Sequence, residues 1–139
     1  MLFRSKVQYV PTEYTAQSWP KVEEFIKSAL NYGHGDYTID QIKLLVCMGQ
    51  WLLTIATDEE SNIHGAATMS FINYPNERIA FITACGGKFI ANKDLIAQLF
   101  EVAKSRGATK MQAMVRPSME RLLSRSKFKS VSTMVEYKL

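Results

Sequence analysis

Between Phe3 and Val10, Phe3, Val7 and Tyr9 fall on one side of a period-two alternation, and Arg4, Lys6 and Gln8 fall on the other. The pattern predicts a strand that ends at Pro11. The period then lengthens. Val22, Phe25, Ile26, Ala29 and Leu30 recur at spacings of three and four behind Ser18 and Pro20, with Gly33 beyond them. That predicts an amphipathic helix opening near Ser18–Pro20. Thr38-Ile-Asp-Gln41 has the form of a capping box, in which the Thr hydroxyl and the Gln amide each satisfy one free backbone N–H. A second helix is expected from there to about Gly49.

Three strand-like runs follow: Trp51 to Thr57, Ile63 to Asn73 and Arg78 to Ala84. The connections Asp58 to Asn62 and Tyr74 to Glu77 have hairpin lengths and turn chemistry, so the runs predict an antiparallel meander. After Gly86-Gly87, residues Asn92 to Arg106 place Leu95, Ile96, Leu99, Phe100 and Ala103 on one helical face, with Gly107 as the stop. Thr109 to Val115 is expected as a strand, Pro117 opens a short helix carrying Met119, Leu122 and Leu123, and Ser130 to Tyr137 alternates as a final strand. The expected order is β-α-α-β-β-β-α-β-α-β, an α/β chain of the α+β kind.

Composition narrows the class. With 139 residues, 47% hydrophobic and 22% charged, the chain suits one domain over residues 1–139 with a substantial core, and it lacks the low hydrophobicity of disordered chains. Cys47 and Cys85 lie among apolar residues without zinc-ligand spacing, so they are expected as buried thiols in a reducing compartment. The longest apolar stretches, Leu44 to Met48 and Trp51 to Ile55, fall far short of a span of about 20 residues. A soluble cytoplasmic protein is the expectation. The seven methionines, Met111, Met114, Met119 and Met134 among them, are read as core filling.

Charge is unevenly distributed. The formal net charge is +4, but Lys104, Arg106, Lys110, Arg116, Arg121, Arg125, Lys127 and Lys129 face only Glu120 within their segment. That is +7 locally and −3 elsewhere. Such a basic third fits an anionic partner: cofactor phosphates, DNA or an acidic protein surface. An ordinary solvated face explains it equally well.

Ala84-Cys-Gly-Gly-Lys88 is a strand running through glycines toward a helix N-terminus, an arrangement that offers backbone N–H groups and the positive end of a helix dipole to phosphate. Lys88 and Lys93 could add charge there. The element order, this turn, the helix ending Lys-Ser-Arg-Gly107, the strand ending Val115-Arg116 and the Lys127-Phe128 pair together resemble the GNAT superfamily of N-acetyltransferases over nearly the whole chain. The resemblance implies a mixed, mostly antiparallel sheet whose fourth and fifth strands splay apart. It implies acetyl-CoA held by Thr83, Ala84 and Cys85 at the acyl end and by Gly86, Gly87, Lys88, Ala91, Asn92 and Lys93 at the phosphates, and an amine as acceptor.

The sequence departs from the family pattern in two places. Lys88, Ala91 and Lys93 stand where the family has a Gln or Arg followed by two spaced glycines. Leu123 and Arg116 stand where many members have a tyrosine, the acid for the departing thiolate, and an asparagine. Leucine donates no proton. Ser124, Ser126 and Tyr137 are nearby hydroxyls better read as surface or packing groups. For a base, His64, Glu77, Asp36 and His34 are candidates, each with a plain structural reading beside it. Proximity with a water relay is a third route to proton removal. Cys85 as an acyl-accepting nucleophile would need a lowered pKa. Ser105, Ser118, Ser130 and Ser132 form no triad with the two histidines, and no P-loop, H-E-x-x-H or cysteine metal motif is present.

Two functions fit these observations. One is a GNAT-like N-acyltransferase. The other is a GNAT-fold binding or structural protein that has lost the chemistry, of the kind found among accessory and virion proteins of short-tailed bacteriophages, using Lys104 to Lys129 to contact DNA or an acidic partner.

Overall fold

The computed structural model describes residues 5–33, 35–89 and 91–139. Strand β1 (Lys6–Val10) is followed by a 3-10 turn (Thr12–Tyr14), α1 (Thr15–Leu30) and α2 (Ile39–Cys47). The meander β2 (Leu52–Thr57), β3 (Ile63–Asn73) and β4 (Arg78–Gly87) comes next, then α3 (Lys93–Ser105), β5 (Lys110–Ala113) and α4 (Pro117–Ser124). The sheet runs in sequence order, β1-β2-β3-β4-β5. Neighbours from β1 to β4 are antiparallel, and β5 joins β4 in parallel. A parallel neighbour needs a long crossover, and α3 supplies it.

Helices cover both faces. Val22 and Ile26 of α1, with Ile42 and Val46 of α2, pack on Leu53, Ile55, Ala66 and Ala84. On the other face Leu95, Leu99 and Ala103 of α3 pack with Val7, Ala67, Met69, Ala80 and Phe89. Leu53, Ile26, Leu95 and Phe89 are fully buried, and each such side chain is worth about 1.5–3 kcal/mol relative to exposure. The Thr38 capping box forms as read: the Thr38 hydroxyl accepts from Gln41 N at 3.2 Å, and the Gln41 amide oxygen accepts from Thr38 N at 2.9 Å.

Three expectations are corrected. Helix α1 begins at Thr15, with Pro20 inside it rather than at its start. Burial of Thr15 and Trp19, one turn apart on the core side, offsets the cost of an interior proline, about 3 kcal/mol. Strand β4 runs on through Gly87 rather than ending at Ala84, because Cys85, Gly86 and Gly87 stay in register with Ala67, Ala66 and Gly65 of β3. The strand expected at Ser130–Tyr137 does not form: residues 128–139 lie in no regular element, and 129–139 are all exposed. Phe3, at the start of the first predicted strand, lies outside the described residues.

Candidate functional site

Strands β4 and β5 part company at the middle of the sheet. Their register covers Ile79, Ala80, Phe81 and Ile82 against Lys110, Met111, Gln112 and Ala113 and stops there, while β4 continues to Gly87. The β5-facing edge of Thr83–Gly87 is therefore open. A bulge marks the same point: Met69 opposes Ile82 and Thr68 opposes Ala84, so Thr83 is the extra residue on β4. Such a bulge bends and twists its strand locally. Inside the bend the Thr83 and Thr68 hydroxyls share a hydrogen bond of 2.8 Å.

The ladder decides which main-chain groups face this notch. Lys88 N donates to His64 O at 3.1 Å, which makes His64 and Lys88 a hydrogen-bonded pair. Antiparallel pairs alternate, so Gly86 turns its N–H and C=O toward β3, while Cys85 and Gly87 turn theirs toward the open side. An edge with unpaired amide and carbonyl groups suits another extended, amide-bearing chain.

The glycines also have a packing purpose. Gly86 is buried beneath α1: a Cβ built on it would stand 1.9 Å from Phe25 O. Gly87 has φ +79, and a Cβ there would stand 2.4 Å from His64 O. Both residues permit close packing of α1 and β3 on β4, and neither sits in a loose phosphate loop.

The α3 N-terminus is also closed. The Asn92 side-chain oxygen accepts from Asp94 N at 2.9 Å and Leu95 N at 3.2 Å, and the Asn92 carbonyl accepts from Ile96 N. Two of the amides that a helix start would offer to an anion, those of Asp94 and Leu95, are thus held by the Asn92 side chain. Phe89 is fully buried, whereas Lys88, Ala91 and Lys93 are exposed around this end. What remains for a phosphate is the charge of Lys88 and Lys93 and the dipole of α3.

The candidate proton carriers are dispersed. Glu77 binds Lys110 Nζ at 2.7 Å at the far end of β4, roughly 20 Å from Thr83 at about 3.3 Å per strand residue. The His64 Nε2 lies 3.0 Å from the Ser5 hydroxyl. Asp36 is exposed on the α1–α2 connection, where Tyr37 packs edge-on against Trp51 at 4.7 Å. His34 lies outside the described residues. Leu123 is buried at 4% exposure, a packing residue. Cys85 keeps some exposed surface, yet desolvation pushes its thiol up to about 12. A neutral thiol is a poor nucleophile, so burial works against acyl transfer through Cys85.

Sequence reasoning missed a contact between the segment after β5 and the turn after α1. Arg116, the residue that caps α4 just beyond β5, lays its guanidinium 3.7 Å over the Tyr32 ring on the turn after α1. This pair joins the end of β5 to the end of α1, and a cation three residues beyond a strand gave no sign of its aromatic partner. At the other end of the sheet a cavity of about 430 Å³ is lined by Tyr9, Trp51, Phe71, Arg78 and Arg106. There Arg78 stacks on Phe71 and donates to Arg106 O and Asn73 Oδ1, holding the hairpin end together. Among the described residues no group of three or more His, Cys, Asp or Glu is placed to hold a metal, and no helix is long and apolar enough to cross a membrane.

No protein-family sequence model matches the chain, and no curated protein matches it in sequence. Solved structures do match. AAC(6')-Iy in complex with the bisubstrate analogue CoA-S-monomethyl-acetylneamine superposes with a TM-score of 0.71 over 98% of each chain, at 15% identity. The aminoglycoside acetyltransferase meta-AAC0020 from an uncultured soil metagenomic sample, in complex with trehalose, gives 0.69 over 97% of this chain and 95% of that one, at 11% identity. A predicted acetyltransferase with acetyl-CoA from Clostridium acetobutylicum gives 0.66 over 97% and 96%, at 13% identity. At these identities the likeness establishes the fold: a GNAT-like mixed sheet with helices on both faces.

Proposed function

We propose that this GNAT-fold chain is an N-acyltransferase that moves an acetyl group from acetyl-CoA to a primary amine. One observation carries the reading: β5 stops at Ala113 while β4 runs on past the Thr83 bulge to Gly87. The outward main-chain groups of Cys85 and Gly87 suit the amides of a pantetheine arm. Acetyl-CoA, when bound, supplies an activated thioester beside Thr83 and Ala84. Lys88 and Lys93 draw its phosphates to the start of α3, and Asn92 must yield its cap if the phosphates are to reach the Asp94 and Leu95 amides. With leucine at position 123 and Cys85 neutral, the chain contributes positioning in place of side-chain acid catalysis, and solvent carries the amine's proton. The neighbours fit this reading, since one binds a CoA bisubstrate analogue and another binds acetyl-CoA. Calorimetric titration with acetyl-CoA tests it. Binding with a dissociation constant below about 1 mM is expected, and no heat at that concentration overturns it.

Asn92 and Leu123 favour a second reading, a GNAT-fold binding protein without transfer chemistry. Its basic segment is less free than the sequence suggests. Lys104 and Lys110 are paired with Glu101 and Glu77, and Arg106 and Arg116 stack on Tyr9 and Tyr32. On this reading acetyl-CoA does not bind, and a DNA duplex binds with an affinity that falls steeply as salt rises.

A further inference from the structure

The sheet face that α3 covers is longer than the helix. Tyr9, Leu52, Phe71 and Arg78 alternate in phase with Val7, Ala56, Met69 and Ala80, and the registers of β1 to β4 align them on that face. The last buried residue of α3 is Ala103, and the helix ends at Ser105. Beside Arg106, at the foot of the face, lies the cavity of about 430 Å³. Its volume is that of a small-molecule site, in the range of about 300–1,000 Å³. Tyr9, Trp51 and Phe71 give it aromatic walls, and its lining holds no Asp or Glu among the described residues.

Two arginines stand in this lining. Arg78 is held from three directions: its guanidinium lies 4.5 Å over the Phe71 ring, its Nε donates to Arg106 O at 2.9 Å, and its Nη1 donates to Asn73 Oδ1 at 2.7 Å. Its remaining N–H groups have no protein acceptor among the described residues. Arg106 is exposed and lays its guanidinium 4.9 Å over the Tyr9 ring. Glu77, the carboxylate next to Arg78 in sequence, is taken by Lys110 at 2.7 Å. Neither arginine therefore has a counter-ion among the described residues. A guanidinium stacked on a ring keeps its N–H edge free, and that edge matches the paired oxygens of a carboxylate or phosphate.

We propose that this cavity binds a small aromatic oxyanion, a planar ring bearing a carboxylate or phosphate group. The ring lies against the aromatic walls, and the oxygens take the free N–H groups of Arg78 and Arg106. The contacts of Arg78 with Phe71, Asn73 and Arg106 fix its position before any ligand arrives, which lowers the cost of ordering it on binding. The site is separate from the notch. Arg78 opens β4 and Gly87 closes it, roughly 30 Å away at about 3.3 Å per residue. The inference is independent of the transferase reading.

Amide shift mapping by nuclear magnetic resonance on the isotope-labelled full chain tests it, with benzoate, phenyl phosphate, benzyl alcohol and inorganic phosphate titrated separately. At least one of the two aromatic anions is expected to move the amides of Tyr9, Gly49, Gln50, Phe71 and Arg106 with a dissociation constant below about 1 mM. Benzoate against phenyl phosphate identifies the head group. Benzyl alcohol, which lacks the charge, and inorganic phosphate, which lacks the ring, are expected to bind about tenfold more weakly or worse. Arg106→Gln, at an exposed position, is expected to weaken the aromatic anion about tenfold with unchanged far-UV circular dichroism. Absence of shifts with both aromatic anions overturns the proposal, as do shifts centred on Cys85 to Lys93. Equal affinity for either control probe, or full affinity in Arg106→Gln, overturns it too.

Discussion

Gly86 of β4 lies directly under the Phe25 carbonyl of α1, where a Cβ would come within 1.9 Å of the oxygen and 2.6 Å of the carbon. Backbone meets backbone here, so no rotamer change can make room. Replacement Gly86→Ala is expected to destabilise the fold by more than about 3 kcal/mol, since it forces α1 off the sheet. Gly33→Ala, whose nearest atom would be Leu30 O at 3.6 Å, is the control and is expected to change stability by less than about 0.5 kcal/mol. Urea midpoints of the two variants check both statements.

Lys127 holds a left-handed conformation at φ +68, a cost of about 1 kcal/mol for a residue with a Cβ. Lys127→Gly removes that cost. The variant is expected to melt a few degrees higher, measured by calorimetry, and an unchanged or lower melting temperature would contradict the strain.

Asn92 both stabilises α3 and withholds two amides from any anion. Asn92→Gly keeps most of the capping preference, while Asn92→Ala is expected to lose about 1 kcal/mol. If the phosphates of acetyl-CoA seat at this helix end, both variants free the Asp94 and Leu95 amides and bind the cofactor more tightly than the parent. Equal or weaker binding by Asn92→Gly in the same titration would place the phosphates elsewhere.

The Cys85 thiol, raised by burial from 9.0 to about 12, gives a pH dependence of definite sign. Its neutral form is favoured by folding, so its contribution is complete below pH 9 and is lost as pH climbs from about 9 through about 12. Cys85→Ser, whose hydroxyl does not titrate in this range, should flatten that part of the alkaline stability profile. In the parent, iodoacetamide should leave the Cys85 peptide unmodified at pH 8 under native conditions and label it after denaturation, read by mass spectrometry. Rapid native labelling would refute the burial.

Arg116 over Tyr32 ties the end of β5 to the turn after α1. Tyr32→Ala removes a contact of about 0.5–1 kcal/mol at an exposed site. Its effect on global stability should be small. Differential scanning calorimetry of the variant checks this: a melting temperature within a few degrees of the parent is expected.

Local signals carried most of the elements. The Thr38–Gln41 box, the apolar stripe of Leu95, Leu99 and Ala103, and the turns at Asp58–Asn62 and Tyr74–Glu77 each involve residues a few positions apart, and their physics is complete within a short window. The GNAT-like order follows from them. The site was less legible. Two consecutive glycines read as a phosphate cradle or as a simple turn of the chain, and only the position of Phe25, far earlier in the chain, reveals that Gly86 also lets helix and strand approach closely. The notch is likewise a difference in length between β4 and β5, which is fixed by where β3 keeps pairing and β5 stops.

By itself the amino-acid sequence determined the helices, the meander, the caps and the alternation of the tail, because periodicity and capping are local. The tertiary structure alone decided that Gly86 carries α1, that Asn92 caps the start of α3, that Arg116 finds Tyr32 and that the last alternating segment joins no strand among the described residues. Those outcomes depend on which distant surfaces meet, and pairing between residues tens of positions apart leaves no local trace.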